Sequence, residues 1–194
     1  MHYLKIINTL KEKTDTVILF HSGTGKDSIM LADLCSKNFK KVYCIFMYIV
    51  KDLEYENRYI NWTKKKYPNI EFIQTPHYAV YSFIKYGYLG IKKDTSQSKT
   101  TISKIDEKIR KKININWSIY GFKKIDGITR RLMLNSTENG IMYKTQKAYP
   151  LMDLKNSDVL NYIKENNLIT PFNYGTLKPS SGCDISTPEF LYYL

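Results

Sequence analysis

The sequence predicts an α/β protein built on a doubly wound, mostly parallel sheet flanked by helices. Short apolar runs rich in β-branched and aromatic residues alternate along the chain with longer segments of helical periodicity. Strands that are apolar throughout are typical of parallel sheets, which helices cover on both faces. Neither a repeat nor a low-complexity linker divides the 194 residues, so we expect one domain over 1–194, with a looser tail after about residue 171.

The elements can be assigned in chain order. A first helix is predicted over 2–13 from the apolar stripe formed by Tyr3, Ile6, Ile7 and Leu10. The wholly apolar run "TVILF" predicts a buried first strand, and similar runs predict three more, so that the predicted strands lie at 16–20, within 41–51, at 70–74 and at 117–121. Further helices are predicted at 28–39, 53–67, 76–87, 102–113 and 156–168, and a polar loop at 90–100. We expect Asn156 or Ser157 to cap the last helix.

The chain is strongly basic. It carries 30 Lys and Arg residues against 18 Asp and Glu, a formal net charge of +12. Such a surface favours anionic partners, namely nucleotides, nucleic acid or an acidic protein. Composition explains the charge equally well, because the chain is rich in Lys, Asn, Ile and Tyr together, as an AT-rich genome would produce. The adjacent Arg130 and Arg131 are more informative than the total, since the planar guanidinium suits phosphate and sulfate.

The apolar segments and the cysteines predict a cytoplasmic protein. No apolar run reaches the roughly 18 residues of a membrane span, and the N-terminus lacks the features of a signal peptide. We therefore expect no membrane association. Cys35, Cys44 and Cys183 lie far apart without a CxxC pair, which argues against a disulfide framework or a structural zinc site and for a reducing compartment.

The stretch "HSGTGKDS" at 21–28 forms a small polar turn between the first strand and the next helix. Its glycines let backbone N–H groups approach an anion, and the helix N-terminus adds a positive dipole. Further donors are the side chains of Ser22, Thr24, Lys26 and Ser28. The spacing fits neither GxxxxGK[ST], where Phe20 and Asp27 stand at required positions, nor GxGxxG, where Ser28 replaces the third glycine. The turn therefore predicts a phosphate cradle, with a plain glycine turn and helix cap as the alternative.

Three segments, taken in order, resemble one known family. "SGTGKDS" is similar to the PP-loop SGGxDS of the ATP pyrophosphatase and phosphoadenylyl-sulfate (PAPS) reductase superfamily. "GFKKIDGITR" at 121–130 resembles the PAPS reductase pattern G-x-R-x-x-E-S-x-x-R, with Lys123, Asp126 and Gly127 at its Arg, Glu and Ser. "YPLMDLKNSDVLNYIKENNLITPFNYG" at 149–175 is similar to the family's P-L-x-x-W-(S/T)-x-x-D-V-W-x-Y-I helix and the segment after it. The chain resembles a small PAPS reductase family protein, of the kind often encoded by phages, which would place it in the host cytoplasm.

The resemblance implies a set of site residues. The phosphates of an adenine nucleotide (PAPS, adenylyl sulfate or ATP) would be held by Ser22, Gly23, Thr24, Gly25, Lys26, Asp27 and Ser28. The far anionic group of the substrate would be held by Lys123, Arg130 and Arg131. Mg²⁺ would bind mainly through the nucleotide phosphates, with Asp27 as the candidate protein ligand. His21 and His77 follow predicted strands at the same edge, either as phosphate or acid–base groups or as ordinary loop side chains.

The resemblance breaks where reduction would take place. Assimilatory PAPS reductases attack the sulfate sulfur with a cysteine in a C-terminal tail, whereas this chain has neither Cys nor His after Cys183. The family's GCxxC pocket appears as "GCDIS", so Cys183 remains a candidate nucleophile or sulfur carrier, with a buried structural thiol as the alternative. We expect Cys35 and Cys44 to be packing residues. Three scattered cysteines cannot supply four thiolates, so no iron–sulfur cluster is expected.

Three functions remain open at this point. The first is an enzyme that acts on an adenylyl-sulfate-type nucleotide, with a thiol reductant as partner. The second is an ATP pyrophosphatase that adenylates a nucleic-acid or small-molecule acceptor for sulfur transfer, where positioning and charge neutralisation supply most of the catalysis. The third is a non-catalytic nucleotide-binding or structural protein that reuses the fold. Nothing in the sequence fixes the oligomeric state.

Overall fold

The computed structural model describes residues 2–21, 24–170, 173–174 and 178–179, which include a six-stranded sheet flanked by helices. The sheet contains β1 (Thr16–His21), β2 (Lys41–Tyr48), β3 (Ile70–Pro76), β4 (Ser118–Ile119), β5 (Ile141–Met142) and β6 (Lys147–Ala148). The helices are α1 (His2–Lys11), α2 (Lys26–Asn38), α3 (Glu54–Lys66), α4 (Tyr78–Tyr86), α5 (Ile102–Ile113), α6 (Ile128–Asn135) and α7 (Asn156–Glu165). A separate ribbon pairs β7 (Asn173–Tyr174) with β8 (Lys178–Pro179).

The strand order of the sheet is β3-β2-β1-β4-β6-β5, and its pairs are parallel except for β5 with β6. The chain moves outward from β1 through β2 to β3 and then returns to β4, on the other side of β1. This reversal creates a switch point between β1 and β4. Open α/β sheets bind ligands outside the carboxyl ends of their strands at such a point. The predicted doubly wound, mostly parallel fold class is confirmed.

The handedness of the crossovers decides which helices share a face. Crossovers between parallel strands are right-handed. The connections through α2 and α3 run in one direction across the sheet, so these helices cover one face. The connection from β3 to β4 through α4 and α5 runs in the opposite direction, so these helices cover the other face. A buried carboxylate joins the helices of the first face. Asp33 of α2 accepts hydrogen bonds from Tyr67 Oη at 2.8 Å, Tyr162 Oη at 2.6 Å and Lys37 Nζ at 2.6 Å. Because Tyr162 belongs to α7, this last helix packs on the same face as α2.

The middle of the sheet forms the core. Val17, Ile18 and Leu19 of β1 are fully buried, as is Ile119 of the adjacent β4. An interior strand of a parallel sheet is covered on both faces, which is why "TVILF" shows no polar alternation. Cys35 and Cys44 are buried in α2 and β2, and desolvation raises the pKa of both thiols, as expected of packing residues. No helix in the described ranges is long and apolar enough to cross a membrane.

The predicted elements are present, with several differences at their ends. The first helix is shorter than 2–13, α2 begins at Lys26 rather than at 28, and the fourth strand shrinks from 117–121 to Ser118–Ile119. The predicted cap at Asn156 or Ser157 is wrong, because both residues lie inside α7. The N-cap is Lys155, whose backbone N–H donates to the Asp158 carboxylate at 2.8 Å. The looser tail predicted after about residue 171 falls mostly outside the described residues.

Besides the short ribbon of β7 and β8, three elements were not predicted from the sequence. β5 and β6 have two residues each, which is too short for any pattern to emerge. α6 exposes its apolar Ile128 and Leu132 to solvent, so it lacks a clear division between an apolar and a polar face. These elements become recognisable only through their hydrogen bonds.

Gly140, directly before β5, packs closely against Ile6 of α1 and against Met152. Gly140 and Gly90 both have a positive φ, +85° and +72°. A Cβ on Gly140 would lie 2.5 Å from Ile6 Cδ1 and 2.8 Å from Met152 Sδ, whereas one on Gly90 would meet nothing within 4 Å. Gly140→Ala is therefore expected to lower the free energy of unfolding by about 3 kcal/mol, and Gly90→Ala by about 1 kcal/mol. Urea unfolding measures both changes, and equal losses would contradict the close packing.

Candidate functional site

The loop after β1 and the first turn of α2 contain most of the predicted phosphate cradle. Residues 24–28 are described by the structure, whereas Ser22 and Gly23 lie outside the described residues. Helix α2 begins at Lys26, directly after Gly25, which has no side chain to cap the helix. First-turn N–H groups have no acceptor within their own helix, and the macrodipole is positive there. Backbone donors and a positive dipole thus lie at the carboxyl end of β1, beside the switch point.

One carboxylate binds two ammonium groups at this helix start. Asp27 Oδ2 lies 3.2 Å from Lys26 Nζ and 2.7 Å from Lys123 Nζ. Lys123 Nζ is also 3.3 Å from Asp126 Oδ1, and the Lys123 backbone N–H donates to Asp126 Oδ2 at 2.8 Å. Lys123 is only 1% exposed, so its charge is buried among these partners. Removing an ammonium group from water is costly, and two carboxylates offset that cost.

A close backbone approach allows this contact across the switch point. Gly121 follows β4 and lies against the first turn of α2, where a Cβ would come within 3.3 Å of Asp27 Cβ and 3.4 Å of Leu31 Cδ1. Contacts this short would require the segment after β4 or the first turn of α2 to shift by a few tenths of an ångström. Gly121 is the first glycine of the pattern found at 121–130, and this approach gives that position its physical reason.

Arg130 lies on an aromatic stack beside the Lys123 segment. Its Cζ is 3.4 Å from the centroid of the Phe122 ring. Phe122 stacks on Tyr149 and packs on Tyr120, which in turn stacks on Phe20 of β1 with 4.6 Å between centroids. Stacking uses the flat face of a guanidinium and leaves its in-plane N–H groups for polar partners. The arginine is therefore held in a defined orientation next to the carboxyl end of the sheet.

The Arg130 charge also affects the pKa of Tyr149, a member of this stack. Burial raises the pKa of Tyr149 to about 12, and the positive charge of Arg130 opposes that rise. Arg131, one residue further around α6, is exposed. The two arginines that the sequence analysis treated together are thus in different surroundings.

The structure brings part of the predicted set together. Lys26, Asp27 and Lys123 are in direct contact, and Arg130 adjoins them through Phe122. Thr24, Gly25 and Ser28 are buried beside them in the loop and the first turn of α2. Phe122 was not predicted as a site residue, because its contact with Arg130 depends on stacking that no local pattern reveals. Cys183 lies outside the described residues, and its role stays a prediction.

The two histidines at this edge lie in positions that give them structural roles. His21 is the last residue of β1, and desolvation by burial lowers its pKa to about 3, so the imidazole is neutral at physiological pH. His77 is the N-cap of α4, where its Nδ1 accepts a hydrogen bond from the Ala79 N–H at 3.2 Å. Of the two alternatives, these positions favour ordinary structural side chains over acid–base groups.

The residues of the site fit a magnesium ion carried mainly by phosphates. In the part of the chain that the structure describes, no group of three or more His, Cys, Asp and Glu side chains could hold a metal ion. Asp27 Oδ1 is buried and lacks a hydrogen-bond partner, which leaves one carboxylate oxygen able to coordinate. Mg²⁺ typically uses one or two carboxylates together with substrate phosphates and water, so a single carboxylate suffices. The predicted absence of an iron–sulfur cluster stays a prediction.

The chain belongs to the phosphoadenosine phosphosulfate reductase domain family, whose model matches residues 17–186. This confirms the resemblance of the three segments and places the chain in the PP-loop superfamily of adenine-nucleotide-binding proteins, most of them enzymes. Among curated proteins, none matches the chain.

Solved structures that resemble the chain share its PP-loop fold. An NH3-dependent NAD synthetase from Campylobacter jejuni has a TM-score of 0.56 and 19% identity, covering 86% of this chain and 72% of that one. An NMN synthetase from Francisella tularensis has a TM-score of 0.53 and 14% identity, with coverage of 87% and 70%. The U34-tRNA thiolase NcsA from Methanococcus maripaludis, solved with its [4Fe-4S] cluster, has a TM-score of 0.50 and 18% identity, with coverage of 90% and 68%. At these identities the likeness concerns the fold.

Lys123 and its neighbour Lys124 form a matched pair for testing the buried contact. Lys123→Met leaves Asp27 and Asp126 without their shared ammonium group, so we expect a loss of about 3 kcal/mol in the free energy of unfolding. Lys124 forms a surface pair with Asp153 at 2.7 Å, and Lys124→Met should cost less than about 1 kcal/mol. Adding Asp27→Asn to Lys123→Met should recover part of the loss. Similar losses in the two single variants would contradict a buried pair.

The buried His21 predicts a pH dependence of stability. Its pKa is lowered from 6.5 to about 3 in the folded state, so the unfolded chain binds more protons between these values. Stability should therefore fall as the pH drops below about 6.5, by about 2 kcal/mol at pH 5 from this group alone. Urea unfolding of the wild type and His21→Gln at pH 7 and pH 5 measures the difference. Identical pH dependence in the two proteins would show that His21 does not remain neutral.

Proposed function

We propose that the chain is an enzyme that binds an adenylyl-sulfate-type nucleotide at the β1–α2 loop. The observation that carries the proposal is the cluster of Lys26 and Lys123 on Asp27 at a helix N-terminus, with Arg130 stacked beside it. Backbone N–H groups, a helix dipole and three cationic side chains meet at the switch point of the sheet. This combination suits a ligand with several phosphate or sulfate groups.

The cationic groups have different proposed roles. Lys26 lies at the start of α2 and would exchange part of its contact with Asp27 for a nucleotide phosphate. Lys123 is buried between Asp27 and Asp126 and would position the loop as well as neutralise charge. Arg130 would bind the outer sulfate or phosphate, because stacking orients its planar N–H groups in advance. Arg131 is exposed and would contribute less.

A reductive reaction would need a thiol outside the described residues. Attack of a thiolate on the sulfate sulfur breaks the bond between that sulfur and the bridging oxygen of the nucleotide and leaves a sulfonated thiol. A second thiol must then release sulfite, forming a disulfide with the first. Cys35 and Cys44 are buried with raised pKa values, so neither suits this step. Cys183 or the thiol of a partner reductant would supply the nucleophile.

A second candidate function is that of an ATP pyrophosphatase which adenylates an acceptor for sulfur transfer. Asp27 Oδ1, buried and without a hydrogen-bond partner, favours it because this oxygen would bind the Mg²⁺ that accompanies ATP. When bound, that ion would neutralise charge on the β- and γ-phosphates. The acceptor would attack the α-phosphorus, and pyrophosphate would leave. Two of the neighbouring structures are named as synthetases and one as a tRNA thiolase, which is compatible with this chemistry.

Calorimetric titration separates these functions. Wild-type protein is titrated with PAPS, with adenylyl sulfate and with ATP in the presence and absence of Mg²⁺. Preference for a sulfated nucleotide would support the first function, and Mg²⁺-dependent preference for ATP the second. Binding without turnover of PAPS, adenylyl sulfate or ATP would support a non-catalytic protein. Failure to bind all three would overturn nucleotide binding at this loop.

Arg130 and Arg131 provide the control within one helix. Arg130→Ala should weaken binding of the preferred nucleotide about tenfold or more, because it removes an oriented, charge-assisted contact. Arg131→Ala changes the net charge equally and should weaken binding by no more than about twofold. Equal losses would contradict the role given to Arg130, since they would reflect general charge rather than a built contact.

A further inference from the structure

A second surface on the protein combines exposed aromatic rings with lysines. It comprises Tyr86 and Tyr88 at the end of α4, together with Lys93 and Lys99 of the following loop, and is here called the tyrosine–lysine surface. Tyr86 and Tyr88 are 41% and 55% exposed. Their ring centroids lie 5.5 Å apart with an angle of 36° between the planes. Exposed aromatic rings that lie next to each other form a contiguous patch, and such patches mark interaction sites.

One lysine ammonium group lies directly beside these rings, and a second lysine lies at the turn between the two tyrosines. Lys99 Nζ is 4.9 Å from the centroid of Tyr86, and its hydrogen bond lowers the pKa of that phenol. Lys93 lies over the turn between the two tyrosines, where a Cβ on Gly87 would come within 3.1 Å of Lys93 Cβ. The stacking platform and the positive charges therefore belong to one compact surface.

The surrounding segment is positively charged. Residues 77–101 contain four lysines and a single carboxylate, that of Asp94. This carboxylate is already engaged, because Asp94 Oδ1 accepts from the Ser96 N–H at 2.9 Å and the Ser96 hydroxyl at 2.6 Å. A partner with negative charge and flat apolar groups would complement the surface. Single-stranded nucleic acid has both, whereas a duplex hides the faces of its bases.

The start of α4 lies at the edge that carries the β1–α2 loop, and the tyrosine–lysine surface lies at the other end of this 9-residue helix, about 12 Å further on. α4 starts directly after β3, and the His77 N–H at its start donates to the Tyr48 carbonyl at the end of β2 at 2.7 Å. β3 is two strands away from β1, a distance of about 10 Å along the edge. Tyr78, at the start of α4, is also 41% exposed. A strand of several nucleotides bound along α4 could therefore extend to the loop.

We propose that the tyrosine–lysine surface binds single-stranded nucleic acid, with bases stacking on Tyr86 and Tyr88 and phosphates contacting Lys93 and Lys99. Binding itself is independent of the proposed function. Only the use of the bound strand as the acceptor of an adenylyl or sulfur transfer rests on that function.

The test measures binding of a labelled oligothymidylate of about 12 nucleotides by fluorescence anisotropy at several salt concentrations. Tyr86→Ala/Tyr88→Ala should weaken binding at least tenfold, because base stacking is lost. Tyr86→Phe/Tyr88→Phe keeps both rings and should bind within about threefold of the wild type. Lys93→Ala/Lys99→Ala should reduce the slope of log K against log salt by about 1.4, as expected for two lost phosphate contacts on a single strand.

Lys5→Ala/Lys164→Ala is the matched control for charge. Both lysines are exposed, on α1 and α7, helices that pack near α2 on the other face of the sheet. This variant removes the same charge and should leave affinity and salt slope nearly unchanged. The proposal is overturned if the control weakens binding as much as Lys93→Ala/Lys99→Ala, or if the alanine variant of the tyrosines binds like the wild type. It is also overturned if a duplex of the same length, or vesicles of anionic lipid, bind as tightly as the single strand.

ATP titration of the same variants keeps the two proposals apart. Loss of oligonucleotide binding with intact ATP binding supports a separate surface. Intact oligonucleotide binding in a protein that fails to bind PAPS, adenylyl sulfate and ATP would overturn the proposed function and leave the tyrosine–lysine surface standing.

Discussion

The contact of Lys123 with Asp27 is the interaction on which the site depends. It joins the segment after β4 to the first turn of α2 across the switch point, over 96 positions of sequence. The reversal of strand order places β4 next to β1, so that the segment after β4 lies beside the start of α2. Gly121 allows the two backbones to approach closely enough for the contact. A buried ammonium group persists only with charged partners, so Asp27 and Asp126 are required as much as Lys123. The β1–α2 loop and the segment after β4 are therefore one structural unit.

Two other buried carboxylates show how a structural role differs from that of Asp27. Asp33 lies within α2 and joins helices of one face. Asp106 of α5 accepts from Ser118 Oγ at 2.5 Å and Arg110 Nε at 3.0 Å, at the amino end of β4. Both lie away from the carboxyl edge of the sheet. Asp27 lies at that edge, in the first turn of α2 and in contact with Lys26 and Lys123, and this position distinguishes it from the other two carboxylates.

Local sequence predicted the parts of the site but not their assembly. The stretch at 21–28 predicted a polar turn between β1 and α2, because glycines, hydroxyls and a lysine follow a buried strand directly, although α2 begins two residues earlier than predicted. The pattern at 121–130 predicted Arg130 as a site residue but not its orientation. The stack under Arg130 involves rings from β1, the segment after β4 and the segment before α7. The cap of α7 was predicted wrongly because Asn156 and Ser157 are good capping types, whereas Asp158 caps from inside the helix. Such outcomes depend on tertiary geometry.

The lysines that contribute to the net charge of +12 lie in different surroundings, so their charges act differently. Lys123 and Lys26 are buried and share a carboxylate, so their field acts over short distances in a medium of low dielectric constant and is weakly screened by salt. Lys93 and Lys99 are exposed near the tyrosine rings, where dissolved salt screens their charges. An anion bound at the first place would depend on geometry, and one bound at the second on ionic strength. The same excess of lysine thus favours a small, shaped anion at the loop and a long, flexible polyanion at the tyrosine–lysine surface.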